Sequence, residues 1–150
     1  MKLPAILAVL AFALLLKEDA ADTLKVVKAS EVQWVDAKGA PRGVKHCLVH
    51  GDPAKGSAVM LSKIPAGTTL PPHTHSSDEV ISIVSGSCAI AAGEKVDESK
   101  AKVVGSGGYF TIKARTPHWA IAKTETVLVR YLSGPVDIQY VNPADDPGTK

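Results

Sequence analysis

Gly67-Thr68-Thr69-Leu70-Pro71-Pro72-His73-Thr74-His75-Ser76-Ser77-Asp78-Glu79-Val80-Ile81-Ser82-Ile83-Val84-Ser85-Gly86 gathers two histidines and two adjacent carboxylates between two glycines. In an extended strand alternate side chains point to one face, so His73 and His75 project their imidazoles together. Glu79 shares their parity, and a small turn at Ser76-Ser77 lets the following strand aim its carboxylate at the same point. A further histidine lies in Thr116-Pro117-His118-Trp119, at the start of an apolar strand and beside a turn, where a closed sheet brings it to the first pair. Nitrogen and oxygen donors mixed in this way suit iron(II), manganese, nickel, copper or zinc, whereas magnesium and calcium prefer oxygen alone. Three imidazoles and one carboxylate leave positions of an octahedral ion open for water, dioxygen or substrate. A bare His-x-His has little specificity by itself. His46 and His50 flank a strand outside this segment and read as structural.

Outward from this stretch the chain breaks into short runs rich in Val, Ile, Leu and aromatic residues, separated by Gly, Pro, Asp and Lys, the pattern of an all-β fold. Strands are expected over 25–28, 32–35, 44–50, 57–64, 69–72, 78–85, 87–91, 102–104, 109–112, 118–122, 126–133 and 136–141. Turns fit Asp52-Pro53, Pro65-Ala66-Gly67, Ser85-Gly86 and Gly105-Ser106-Gly107-Gly108. Short strands joined so closely tend to close into a barrel or a two-sheet jelly roll, which hides their edges. The polar, proline-rich tail after Val141 reads as an extended terminal arm.

With 150 residues, 45% hydrophobic and 21% charged, the chain suits one globular domain. Residues 1–21 differ in kind: Lys2, an apolar run from Leu3 to Leu16, then Lys17-Glu18-Asp19-Ala20-Ala21. That is the layout of a signal peptide, and the run falls short of the ~20 residues of a membrane-spanning helix. The expectation is an exported protein, periplasmic or secreted, with a single domain over 22–150 and no stable membrane span after cleavage. The cleavage point stays open, because a cut after Ala21 puts Asp19 where a small residue is preferred. A formal charge of +2, with basic residues scattered rather than clustered, argues against a nucleic-acid partner. Cys47 and Cys88 could pair in an oxidising compartment, but both sit in apolar runs where a buried free thiol is the commoner arrangement.

The spacing Gly67, His73-Thr74-His75, Glu79, Gly86 resembles the first motif of the cupin superfamily at every defining position. Gly107 through His118 resembles the second motif, keeping its leading glycine and its histidine. Lys113 replaces the usual proline, Arg115 the usual glycine, and Ala122 a common asparagine. The resemblance spans about residues 57–133 and implies a small antiparallel β-barrel of the jelly-roll type with a metal inside, held by His73, His75, Glu79 and His118. At Arg115 a glycine often serves a positive φ, which arginine adopts at a cost.

Cupins include oxygenases, isomerases, storage proteins and regulatory domains, so the resemblance leaves the reaction to the site. The leading reading is a metal-dependent enzyme, oxygenase-like, acting on a small organic substrate such as a diketone, enediol or phenolic compound, with Glu79 also serving as general base. Ser133-Gly134-Pro135-Val136-Asp137 is similar to a segment of single-domain cupins resembling acetylacetone dioxygenase. Two alternatives stand beside it: an exported, non-catalytic module that sequesters a metal or senses a ligand, and a sugar isomerase. Lys113 and Arg115 could form an anion clamp, though exposed loop charges are the plainer reading. Tyr109, Phe110, Trp119 and Tyr131 could line a pocket or simply fill the core. The resemblance also implies a homodimer through edge strands after Asp22.

Overall fold

The computed structural model describes residues 24–149, so the expected signal peptide, residues 1–21, lies outside the described residues. Residues 24–32 carry one turn of 3-10 helix, Ala29–Glu31, in which Glu31 accepts a hydrogen bond from the Lys28 N–H at 3.1 Å. Lys25–Lys28, expected as a strand, is not one.

Residues 33–149 fold as strands β1 (Val35–Asp36), β2 (Lys45–Gly51), β3 (Ala58–Ile64), β4 (Thr69–Thr74), β5 (Glu79–Ser85), β6 (Ser87–Ala92), β7 (Lys102–Gly105), β8 (Tyr109–Ile112), β9 (His118–Ala122), β10 (Thr126–Leu132) and β11 (Gln139–Tyr140). They pair antiparallel into a six-stranded sheet, β1-β2-β3-β10-β5-β8, and a five-stranded sheet, β11-β4-β9-β6-β7. This is a two-sheet jelly roll, the fold that the resemblance implies. The interior is set by period-two alternation: along β3, Ala58, Met60, Ser62 and Ile64 are buried while the residues between them are half-buried. With Val44, Ile81, Ile83, Cys88, Ala122 and Leu128 they fill the space between the sheets.

The Ser85-Gly86-Ser87 connection needs its glycine, since Gly86 has φ 80° and a Cβ there would lie 2.1 Å from the Glu125 carbonyl oxygen. Two expected strands contract, 32–35 to Val35–Asp36 and 136–141 to Gln139–Tyr140. The tail is not an extended arm: Asn142 caps a 3-10 turn at Pro143–Asp145 by accepting from the Ala144 N–H, and a second such turn follows at Pro147–Thr149. Cys47 and Cys88 are free thiols. They belong to different sheets, and Cys88 faces the interior while Cys47 alternates with inward-facing His46, so their side chains diverge.

Candidate metal centre

The position of His73 depends on two prolines. Along β4, Leu70 pairs with Ala120 of β9 and His73 pairs with His118, so three steps on one strand match two on the other. Pro71 and Pro72 occupy this bulge, where the ladder hydrogen bonds they are unable to donate are not required. The extra residue reverses the parity of β4. Leu70 faces inward before the bulge, and His73 and His75 face inward after it.

His73, His75 and His118 thereby converge, with one ring nitrogen from each lying within 4.8 Å of the others. Ring centroids are 4.2 Å apart for His73 and His118, 5.0 Å for His73 and His75, and 5.4 Å for His75 and His118. Each ring is oriented by a backbone carbonyl at Nδ1: Pro71 for His73 at 2.6 Å, Thr116 for His118 at 2.9 Å, and Asp137 for His75. A carbonyl only accepts, so Nδ1 carries the proton in all three and Nε2 is the nitrogen left to bind an ion. Burial, reinforced by the neighbouring His118, pushes the His73 imidazole down to about pKa 3. Burial also lowers that of His118, partly offset by its hydrogen bond to Thr116. Neutral imidazoles are what a metal requires. These donors fit a divalent transition metal.

Glu79 is 2% exposed at the start of β5, and its Oε2 lies 3.5 Å from His75 Nε2. It stands beside the compact histidine set. Its Oε1 meets Arg130 Nη1 of β10 at 3.4 Å. Beyond these groups opens a cavity of about 160 Å³, walled by Ile64, Leu70, Ile81, Phe110 and Leu128 and reached by the loops 37–40 and 136–138. That is close to the ~150 Å³ in which a benzene-sized molecule fits.

One residue takes another role than the sequence suggested, and the others settle between the readings left open. His46 is not merely structural: it faces the cavity, and burial followed by the charge of Arg130 lowers its pKa. His50 is exposed. Lys113 and Arg115 form no clamp at the cavity; both are exposed, and Lys113 Nζ instead donates to Asp78 Oδ2 at 2.8 Å. Of the four aromatic candidates Phe110 lines the cavity, whereas Tyr109 and Tyr131 are exposed and Trp119 is buried elsewhere. Arg115 does adopt the positive φ anticipated for its position, 62°, while its N–H donates to the His75 carbonyl at 2.8 Å.

Arg130 went unread in the sequence, and Asp137 was read only as the end of a family-like segment. Arg130 alternates with Leu128 and Leu132 on β10, and a charge in phase with core leucines was its signal. The Asp137 carboxylate accepts from Ser76 N and Oγ at 2.9 and 3.0 Å, while its carbonyl holds His75, so one residue from the far end of the domain fixes the turn after β4. Nothing local in the sequence marks that role.

The family model described as the ChrR cupin-like domain matches residues 22–136. No curated protein matches the sequence. Among solved structures, the polyketide cyclase RemF from Streptomyces resistomycificus superposes with a TM-score of 0.63 at 21% identity, covering 83% of this chain and 89% of its own. A candidate acetylacetone dioxygenase from Methylibium petroleiphilum does so with a TM-score of 0.63 at 20% identity, covering 83% and 85%. KdgF from a Halomonas species reaches 0.57 at 22% identity, covering 73% and 94%. At these identities the likeness shows the fold.

Proposed function

This chain belongs to the ChrR cupin-like family, and from that premise we propose that it is a metal-dependent, oxygenase-like enzyme acting on a small organic substrate. The observation that carries the reading is the set of three carbonyl-locked imidazoles, each turning Nε2 toward its partners at the edge of a largely apolar cavity. His73, His75, His118 and Glu79 would hold one divalent ion of iron, manganese, nickel, copper or zinc. Such an ion supplies Lewis-acid activation of a bound oxygen atom and, in the case of iron, reactivity toward dioxygen.

The protein's own groups do the rest. The apolar walls exclude water from a substrate body the size of a small ring. Glu79, buried beside the cavity with Oε1 turned to Arg130, is the general base that takes a proton from a carbon or phenolic acid. Arg130 Nη1, 3.4 Å from Oε1, positions that base. In the same reading the chain is exported, on the strength of the apolar run from Leu3 to Leu16, and acts as a homodimer paired through edge strands, of which β1 is the candidate nearest the N-terminus.

The test is metal content by elemental mass spectrometry, on protein purified without chelators or affinity tag, for the wild type and a His73→Ala, His75→Ala double variant. About one equivalent of a transition metal in the wild type and none in the variant is expected. If both remain empty after reloading, the metalloenzyme reading falls. A second reading, which the partly enclosed apolar cavity would equally serve, is a ligand-binding module without turnover. Oxygen uptake by iron-loaded protein with a panel of 1,3-diketones and catechols separates the two.

A further inference from the structure

Arg130 is a charge set into an apolar wall. Its neighbours along β10, Leu128 and Leu132, are both buried, and its cross-strand partners are Met60 on β3 and Ile81 on β5, also buried. A guanidinium in such a place needs partners for its five N–H donors. Here Nη1 meets Glu79 at 3.4 Å, and the buried Nε has no hydrogen-bond partner among the described residues. A structural ion pair between arginine and a carboxylate is ordinarily short, about 2.7–2.9 Å, and two-pronged. This one is long and single-pronged, so neutralising Glu79 does not account for the guanidinium.

The side chain lines the cavity together with the three histidines. His46 and Ser62, on β2 and β3 of the same sheet, also face the cavity and add polar atoms to an otherwise apolar lining. With a divalent ion bound, the ion, Glu79 and Arg130 together carry net positive charge in a partly enclosed space, which favours an anionic ligand.

We propose that Arg130 is the anion-binding residue of this cavity, and that its ligand is a small organic carboxylate with an apolar, ring-sized body whose charged end sits on the guanidinium. The inference deepens the proposed function and rests on its reading of the cavity as the substrate site. The apolar walls take the body, the volume of about 160 Å³ limits it to roughly one ring, and the planar fork of Arg130 matches the planar carboxylate.

The experiment is calorimetric titration of the purified protein with benzoate and with its neutral isostere benzamide, for the wild type, Arg130→Gln and Arg130→Lys. Metal content is measured on the same samples. The wild type is expected to bind benzoate at least about tenfold more tightly than benzamide. Arg130→Gln is expected to bind the two alike, and Arg130→Lys to keep a reduced preference, because it retains the charge and loses the fork. Benzoate held by a bound ion instead would keep its preference in Arg130→Gln, which overturns the proposal. Equal binding of the two probes by the wild type, or binding of neither at millimolar concentration, overturns it without recourse to any variant. A wild type that discriminates yet holds no metal leaves Arg130 as the anion site and removes the metalloenzyme reading. One that holds metal and does not discriminate does the reverse.

Discussion

His73 and His118 are direct cross-strand partners on β4 and β9, with ring centroids 4.2 Å apart. Each imidazole is turned by a hydrogen bond to the backbone carbonyl two residues before it, Pro71 for one and Thr116 for the other. The pair therefore has its orientation fixed before any ion arrives, and the flanking backbone decides whether the centre forms.

Deleting Pro72 removes the extra residue of the bulge. The ladder between β4 and β9 then runs in continuous register, with Leu70 and His73 two steps apart opposite Ala120 and His118, so regular alternation keeps His73 and His75 facing inward. The variant is expected to keep a β-type circular dichroism spectrum and to retain metal. A folded deletion variant that binds no metal would show that parity alone does not place the imidazoles and that the bulge geometry is needed.

The depressed pKa of His73 makes stability depend on pH. Between the ordinary imidazole value of 6.5 and about 3, the unfolded chain binds a proton that the native chain excludes. Stability of the metal-free protein is therefore expected to rise with pH across this window and to be lost as pH falls below 6.5, with His118 adding in the same direction. Thermal unfolding of metal-free protein between about pH 7 and pH 4 measures the slope, and His73→Asn should flatten it. A melting temperature that stays level from neutral to acid in the wild type would contradict the burial of a neutral imidazole.

Arg115 holds φ at 62°, a left-handed conformation that costs a non-glycine residue about 1–2 kcal/mol. Arg115→Gly relieves the strain but gives the unfolded chain more freedom, so a net gain of up to about 1 kcal/mol is expected, and Arg115→Ala should bring none. Equilibrium denaturation of the two variants provides the comparison. Equal stabilities would mean that the backbone, not the side chain, carries the cost.

Asp137 ties the turn after β4 to the C-terminal segment through Ser76 and His75. Asp137→Ala removes the carboxylate and leaves the carbonyl without its anchor, and metal affinity is expected to fall about tenfold or more. Competition with a chromophoric chelator measures it. Unchanged affinity would mean that the carbonyl is held by the chain alone.

Leu132 on β10 is completely buried, opposite Ala58 and Glu79 on the flanking strands. Leu132→Ala is expected to destabilise the fold by about 3 kcal/mol through lost burial and the cavity left behind. Chemical denaturation would register it as a lowered midpoint with an unchanged slope. A loss of much less than 1 kcal/mol would mean that the two sheets close over the gap.

The sequence by itself determined the sheet class, most of the strands and the three histidines. Alternation, turn residues and ligand spacing are local properties, legible within a few residues of one another. Tyr109–Ile112 and His118–Ala122 match their expected bounds, since turn residues flank both. Lys25–Lys28 failed because apolar content favours a strand but does not supply a neighbour to pair with. Tertiary structure alone decided the rest. Pro71 and Pro72 read as ordinary strand residues until β9 is set beside them and the mismatch in register appears. Glu79 and Arg130 lie 51 positions apart, and His75 and Asp137 lie 62 apart. Such pairs meet because β10 packs against β5 and β11 against β4, an order of strands fixed by closure of the whole sheet rather than by any segment within it.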